Sequence, residues 1–436
     1  MMTLKVKKVI KILGSGLVLA LAGAVGWTTY QFHTYTPTVI TQTLDPENRV
    51  YFQETYMDCR KSFLDAALKL KGLYPGVDIS DLAVERRIDP DLHVDYCYIP
   101  AQTSFERLFI LISGIHGVEG YAGSAIQQMF LREIVKEIHL EDTGFLIIHG
   151  VNPFGLKNNR RVTENNVDLD RNCSTEDGLY LSENQGYNDL NSFLNPKHKV
   201  SLTGFGNFFF QLTAGEKVLR YSMDGVRQAV LQGQYRYEKG IYYGGAEREP
   251  SVNLVTPLIQ QAAENYKMVF SIDLHTGYGE NGTLHLFPKP LEDEEKKAQI
   301  ENIFSGLRIY WDHGHDSYRV TGDLASYLEQ ILPEKHCLTM TFEFGTLDTH
   351  TFMGSIKALH LMMLENQGIH YGYKTRKDEL QVKSEFLESY YPLSEAWRSK
   401  VIEDSRQVLS QALTEYAKIG ASKPVASETI IKGRPH

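Results

Sequence analysis

Four short runs of mainly apolar residues constrain the fold of this chain more than any other feature. Runs of this length and composition are typical of strands that are buried on both faces of a sheet. Helical periodicity separates several of the runs, and strands that alternate with helices indicate an α/β sheet with parallel members. The four runs are residues 108–112, 145–148, 268–274 and 338–344, and the clearest helical segments between them are 122–138 and 252–265.

Other segments complete the predicted architecture. Alternating apolar residues at 92–98 predict a half-buried strand, and helical spacing at 396–420 predicts a C-terminal helix. Residues 175–250 show little periodicity, so we predict long loops and short elements there. We therefore expect one α/β domain over residues 48–395, with a mixed, mostly parallel sheet between helices on both faces. Residues 421–436 predict a disordered tail.

The amino terminus carries the pattern of an export signal. A basic segment precedes an apolar stretch at residues 12–27, which is typical of a signal peptide or a signal anchor. We favour an anchor at residues 1–30, followed by a linker at 31–47. This interpretation predicts that the segment contacts the membrane and that the main domain lies in the periplasm or outside the cell. Cleavage of the signal would instead give a secreted protein. The basic residues are Lys5, Lys7, Lys8 and Lys11.

Charge and cysteine content argue against two classes of function. The 436 residues carry a formal net charge of −9, so no basic excess exists to neutralise nucleic-acid phosphates. The cysteines include no CxxC pair, which argues against a thiolate zinc site. They could form a disulfide or remain buried thiols. The four cysteines are Cys59, Cys97, Cys173 and Cys337.

Three side chains near the ends of predicted strands have the chemistry of zinc ligands. His116 and Glu119 follow the run at 108–112, three positions apart in a glycine-rich turn, and His275 follows the run at 268–274. The carboxyl ends of strands in an open α/β sheet are where binding sites are built. Two imidazoles and a carboxylate would leave a fourth zinc position open for water. Asp273 could orient one imidazole or simply pack at the end of the strand.

Glu343 is a carboxylate between two aromatic residues late in a predicted buried strand. A buried carboxylate is destabilising unless it is paired or functional. Partial burial raises a carboxyl pKa, which suits a general base that acts on zinc-activated water. The alternative is an edge position at which Glu343 faces solvent.

A fourth motif places arginines after the strand at 145–148. Arg160 and Arg161 are adjacent. Arg171 lies ten positions after Arg161 and directly follows Asp170. Arginine can polarise a scissile carbonyl or hold a carboxylate through two hydrogen bonds. The alternative is a solvated turn with internal Asp–Arg pairs.

Together these motifs resemble the M14 zinc carboxypeptidase superfamily, and most closely its bacterial DUF2817 group. The resemblance covers about residues 48–395. Each motif alone is a weak signal, whereas their combination and order are specific. The segments that carry the resemblance are SGIHGVEGYAGSAIQ, NPFGLKNNRRVTENNVDLDRN, GQYRYEKGIYYGG, DLHTGYG and TFEFGT.

The resemblance implies a zinc-carboxypeptidase-like fold, with a mixed sheet of about eight strands between layers of helices. It also implies a role for each matching residue. His116, Glu119 and His275 match zinc ligands, and Glu343 matches the general base. Arg161, or its neighbour Arg160, matches the arginine that polarises the carbonyl, and Arg171 matches the arginine that binds a substrate carboxylate.

Asp170 departs from the family pattern, which usually has Asn at this position. An ionised Asp only accepts hydrogen bonds and would repel a substrate carboxylate. Asp170 could pair with Arg171 and weaken the carboxylate site, or it could recognise a substrate with a cationic or hydrogen-bond-donating group. We favour the second alternative, because an anion at this position would select against free carboxylates.

The sequence therefore predicts a Zn²⁺-dependent metallocarboxypeptidase, in which Glu343 acts as general base on zinc-activated water. The predicted substrate is a peptide that loses its C-terminal residue. One alternative is an N-acyl amino acid deacylase that resembles aspartoacylase and succinylglutamate desuccinylase. The other is a catalytically inactive binding module that keeps the fold.

Overall fold

The computed structural model describes residues 4–42, 45–84, 89–138, 141–289, 293–311 and 320–420. One seven-stranded sheet organises this part of the chain, in the order β1-β2-β4-β3-β5-β7-β6. The predicted tail at 421–436 lies outside the described residues. The strands are β1 (Asp78–Ala83), β2 (His93–Ile99), β3 (Arg107–Ser113), β4 (Thr143–His149), β5 (Met268–Thr276), β6 (Leu284–Pro288) and β7 (His336–Phe344).

The central strands β4, β3, β5 and β7 are parallel, whereas β1, β2 and β6 pair antiparallel at the two edges. The four parallel strands are the four predicted apolar runs, which confirms the mixed α/β sheet. The described residues form seven strands rather than about eight. The edge strand β1 has no apolar run in the sequence, because it is exposed along most of its length. The edge strand β6 is only five residues long and was not predicted.

The helices are more numerous than the sequence pattern predicted. The segment 175–250, for which we predicted long loops and short elements, contains four helices of 4 to 12 residues within residues 185–231. We call these four helices, α5 to α8, the helical insert. The helices are α1 (Leu4–His33), α2 (Tyr56–Lys71), α3 (Gly120–Met129), α4 (Pro153–Asn158), α5 (Gln185–Leu194), α6 (Phe205–Phe208), α7 (Phe210–Tyr221), α8 (Met223–Leu231), α9 (Pro250–Ala263), α10 (Glu294–Ile303), α11 (Leu324–Ile331), α12 (Phe352–Tyr371), α13 (Arg376–Glu388) and α14 (Glu395–Tyr416).

Two hydrophobic cores lie on opposite faces of the sheet because successive strand side chains alternate between faces. Phe109 and Phe145 pack on the face that α2, α3 and α14 cover. Leu108 and Leu146 pack on the other face, which α9 and α11 cover. Burial on both faces explains why these strands read as continuous apolar runs in the sequence.

A third hydrophobic cluster joins the helical insert to α12 and to the end of α1. Phe210 of α7 stacks on His360 of α12, with 4.1 Å between ring centroids. Phe32 of α1 is fully buried against the same pair. The insert is therefore a packed layer beside the carboxyl ends of the parallel strands.

The segment that we predicted to be a linker contacts the domain. The Tyr35 hydroxyl donates a hydrogen bond to the Leu347 carbonyl at 3.0 Å, and the Thr38 backbone N–H donates to Asp348 Oδ2 at 2.6 Å. Within the described part of the chain, we find no helix whose length and apolar character together suffice to cross a membrane. All four cysteines are buried free thiols.

Candidate metal centre and active site

The carboxyl ends of β3, β5 and β7 bring three of the predicted functional segments to one edge of the sheet. After β3 the chain turns through Gly114, whose φ of +73° favours glycine. Gly117 then lies against the backbone of α4, and a Cβ there would approach Gly155 C to 2.2 Å. This close contact fixes the turn that carries His116 and Glu119.

The structure brings the three predicted ligands together. One atom from each of His116, Glu119 and His275 lies within 4.8 Å of the other two, and all three residues are buried. His275 Nδ1 is 3.1 Å from His116 Nδ1 and 3.0 Å from Glu119 Oε2. His116 Nδ1 is 3.0 Å from Glu119 Oε1. Two imidazoles and one carboxylate that converge in this way fit a divalent cation such as zinc.

A carboxylate holds the outer nitrogen of each imidazole. His116 Nε2 lies 3.0 Å from Asp168 Oδ1, and His275 Nε2 lies 2.7 Å from Asp273 Oδ2. An imidazole that donates its outer N–H to a carboxylate presents its other nitrogen to a metal in a fixed orientation. For Asp273 this geometry fits the first of the two alternatives left open by the sequence, orientation of an imidazole rather than packing at the strand end, whereas we predicted no role for Asp168. The DLDR motif contains Asp168, but nothing in the sequence places it beside His116.

The buried charges of the centre stabilise one another. Burial alone would raise the pKa of Glu119, but His116 and His275 hold it below its ordinary value. Burial also opposes ionisation of Asp168, yet Arg161 and His116 lower its pKa well below the usual range. The cluster therefore holds ionised carboxylates in a buried position, as a cation site requires.

Glu343 lies next to this cluster and faces the same cavity. It pairs with His275 in the register between β7 and β5, and its Oε1 accepts the Tyr278 N–H at 2.9 Å. Burial, with the charge of Glu119, raises the pKa of Glu343 to about 7. A cation at the three ligands would oppose this increase, because an adjacent positive charge favours the carboxylate. The position suits a group that accepts and returns a proton near neutral pH.

Of the two adjacent arginines, Arg161 faces the centre. Its Nη1 donates to Glu119 Oε1 and its Nε donates to Asp168 Oδ2, both at 3.0 Å. The guanidinium lies 5.1 Å from the centroid of the Tyr242 ring. Arg161 also lines the cavity, and a guanidinium can stabilise negative charge that develops on a carbonyl oxygen.

Arg160 points away from the cavity. Its Nε donates to Glu365 Oε1 of α12 at 2.8 Å, and its Nη2 donates to Asn166 Oδ1 at 3.2 Å. Both members of the Arg160–Glu365 pair are buried. This placement does not fit the substrate-binding role that the sequence predicted for Arg160, because the side chain is already committed to joining two structural elements.

Asp170 and Arg171 line the cavity as a pair. Arg171 Nη1 donates to Asp170 Oδ2 at 2.9 Å, and Arg171 Nε donates to the Leu231 carbonyl at 2.9 Å. The other oxygen of Asp170 accepts the Leu324 N–H at the start of α11 at 3.1 Å. The structure therefore favours the pairing alternative over our preferred one, because both carboxylate oxygens already have protein partners.

Two tyrosines line the cavity beside Arg161. Tyr242, with φ of +54°, has its ring under the guanidiniums of both Arg161 and Arg171. Tyr390 also lines the cavity, and its backbone carbonyl accepts the Thr276 hydroxyl at 2.6 Å. Tyr242 lies in the GQYRYEKGIYYGG segment that carries the family resemblance, whereas no sequence signal marked Tyr390. Tyr243 packs in the core instead.

The three converging ligands, Glu343 and Arg161 line one cavity of about 860 Å³. Its floor consists of alternate side chains of β5, β7 and β6, among them His275, Glu343 and His285. A cavity of this size accommodates a ligand as large as a drug molecule. We call His116, Glu119, His275, Glu343 and Arg161 the strand-end site.

Comparisons with known proteins place the chain in a family. A metallo-carboxypeptidase from Burkholderia cenocepacia is 15% identical, covering 73% of this chain and 70% of that chain, with a TM-score of 0.38. Bovine thrombin-activatable fibrinolysis inhibitor, in complex with tick carboxypeptidase inhibitor, is also 15% identical, covering 74% of this chain and 98% of that chain, with a TM-score of 0.39. No curated protein sequence matches the chain. Residues 52–404 match the family described as a protein of unknown function, DUF2817. The chain therefore belongs to the DUF2817 family.

Proposed function

We propose that this protein is a metal-dependent hydrolase that cleaves C–N amide bonds, with zinc as the cation. The observation that carries the proposal is the arrangement of the strand-end site. Three buried ligand side chains converge within 4.8 Å, and Glu343 and Arg161 line the same cavity beside them.

Each residue of the site has a separate role in the proposed amide hydrolysis. A divalent cation at His116, Glu119 and His275 would acidify a water molecule and polarise the amide carbonyl. Glu343 takes the proton from the attacking water and later returns it to the leaving amine. Arg161 stabilises negative charge on the carbonyl oxygen. Asp168 and Asp273 hold the two imidazoles in orientation.

Two substrate classes fit this chemistry. The resemblance to zinc carboxypeptidases supports removal of a C-terminal residue from a peptide. The second class, N-acyl amino acids, has the same amide bond next to the same free carboxylate, so the pairing of Arg171 with Asp170 does not separate the two classes. The products distinguish the two reactions, since a carboxypeptidase releases a shortened peptide and a deacylase releases a free fatty or other acid.

The proposal includes an exported location. Residues 1–30 would anchor the protein in the membrane with the catalytic domain outside the cytoplasm, as the basic segment and the apolar stretch predict. A reporter fused after residue 50 should be active only outside the cytoplasm. Reporter activity in the cytoplasm would contradict this topology.

Activity of the full-length protein on a panel of peptides and N-acyl amino acids tests the proposed function. We expect hydrolysis that stops when a chelator removes the metal and returns when zinc is added back. Mass spectrometry of the products assigns the bond that is cut. Binding of zinc without turnover of any peptide or N-acyl amino acid would favour the inactive binding module instead.

A further inference from the structure

One side of the cavity is apolar over three helices. Each helix presents residues three or four positions apart to the cavity, which is the spacing of one helical face. This face belongs to the third hydrophobic cluster, and the same side chains also line the cavity. We call it the apolar wall, and it consists of Ala214 and Val218 of α7, Val226 and Val230 of α8, and Ile356 and Leu359 of α12.

The polar groups among these positions are engaged within the protein. Arg227 donates to the Thr349 carbonyl at 3.3 Å and to the Ser355 hydroxyl at 3.1 Å, which joins α8 to the start of α12. Lys217 Nζ lies 2.7 Å from Glu216 Oε2 on its own helix. These contacts leave the wall with few free partners for a polar ligand.

The apolar wall is continuous with the strand-end site. Arg171 donates to the carbonyl of Leu231, the last residue of α8, and Tyr242 joins the same hydrophobic cluster while lying under Arg161. Met223 and Leu231, at the two ends of α8, both line the cavity. At the rise of an α-helix they are about 12 Å apart along the axis, which exceeds the length of any single amino-acid side chain.

A hydrocarbon chain matches such a wall better than a peptide does. An extended peptide carries an N–H and a C=O on every residue, and burial of these groups without partners is costly. A hydrocarbon chain needs no hydrogen bonds and gains from every methylene that leaves water.

We propose that the apolar wall binds the hydrocarbon chain of an N-acyl amino acid with an acyl group of about eight to twelve carbons, from the length of α8. The inference rests on the proposed function and names its substrate. Water adds across the amide bond: the hydroxyl goes to the acyl carbon, the C–N bond breaks, and the amine takes a proton. The products are a fatty acid and a free amino acid.

Acyl chain length in the full-length, zinc-loaded protein tests this inference. The probes are N-acyl derivatives of one amino acid, from acetyl to dodecanoyl. We expect kcat/KM to rise about three- to fourfold for each added methylene until the chain covers the wall. Turnover that does not depend on chain length would overturn the inference but leave the proposed function. No turnover of any peptide or N-acyl amino acid would overturn the proposed function itself.

Two variants of neighbouring residues test whether the dependence of kcat/KM on acyl chain length arises at the apolar wall. Val218→Trp would place a large ring from the wall into the cavity, whereas Leu219→Trp adds the same ring at a position that is 90% exposed. We expect Val218→Trp to lower kcat/KM by about tenfold or more for dodecanoyl substrates, with little change for acetyl substrates, because only the long chain reaches the wall. Leu219→Trp should change neither.

A variant at a second cavity position separates loss of chain binding from a folding defect of Val218→Trp. Ala358→Phe adds bulk from α12, at a partly exposed residue that lines the cavity. It should reproduce the selective loss with dodecanoyl substrates at an unchanged melting temperature. Equal losses for acetyl and dodecanoyl substrates in both variants would contradict binding of the chain at the wall.

Discussion

The strand-end site and the helical insert border the same cavity, but the first presents polar and charged side chains to it and the second presents mainly apolar ones. The strand-end site consists of polar and charged groups in close contact, such as Glu119 with both His275 and Arg161. The insert presents apolar side chains to the cavity, and Arg227, a charged residue of the insert that lines the cavity, is bonded to protein atoms. Charges positioned on rigid strands suit chemistry, whereas an apolar helical layer suits recognition of shape and chain length.

This difference has a direct consequence for variants. Changes in the strand-end site should lower activity on all amides alike, because every substrate uses the same reacting groups. Changes in the insert should alter the preference among substrates and spare the reaction itself. A residue that behaved in the opposite way would break the comparison.

Glu343→Gln should have the largest effect. Glutamine keeps the shape of the side chain but cannot take a proton, so we expect turnover to fall by about 10²- to 10⁴-fold on every substrate. The metal should remain bound, because Glu343 is not among the three converging ligands. Glu280→Gln makes the same change at an exposed residue of the same cavity and should be close to wild type. Near-wild-type turnover by Glu343→Gln would rule out its role as base.

Asp168→Asn should have a smaller effect, on metal affinity. The change removes the charge that orients His116 while preserving the size of the side chain. We expect the zinc Kd to increase by about 10- to 100-fold, measured by competition with a chelator of known affinity. Asp224→Asn, at an exposed position of α8, is the control. An unchanged zinc Kd would show that Asp168 does not support the metal site.

Asp170→Asn should have the smallest effect, at the boundary between the two regions. It removes the carboxylate that neutralises Arg171, whose Nε is bonded to the insert at Leu231. We expect the preference for a free over an amidated C-terminus to increase by about tenfold. Paired peptide substrates measure this ratio. A constant ratio would mean that the substrate does not contact the Asp170–Arg171 pair.

Sequence reasoning succeeded where a local pattern reports directly on burial. The apolar runs identified the parallel strands, and the strand ends then indicated where His116, Glu119 and His275 would meet. The structure brings these three residues together as predicted. Their roles as ligands stay a prediction until metal binding is measured.

Sequence reasoning failed where long-range contacts decide the structure. The buried face of α7 includes Gln211, whose partner Thr29 is 182 residues away, so a long-range contact decides the burial of this polar side chain. Arg160 and Arg161 are chemically identical and adjacent. Which one faces the cavity depends on the turn through Asn159, with φ of +53°, and on the buried partner Glu365. Neither contact leaves a local signal in the sequence.

Metal content of the purified full-length protein tests the central claim most directly. Elemental analysis should find about one zinc per chain in the wild type and in Glu343→Gln, and none in His116→Ala or His275→Ala. The prediction follows from the donor set, because loss of either imidazole leaves too few ligands to hold the cation. Stoichiometric zinc in the double variant with both histidines replaced by alanine would contradict the account, as would failure of the wild type to bind zinc at all.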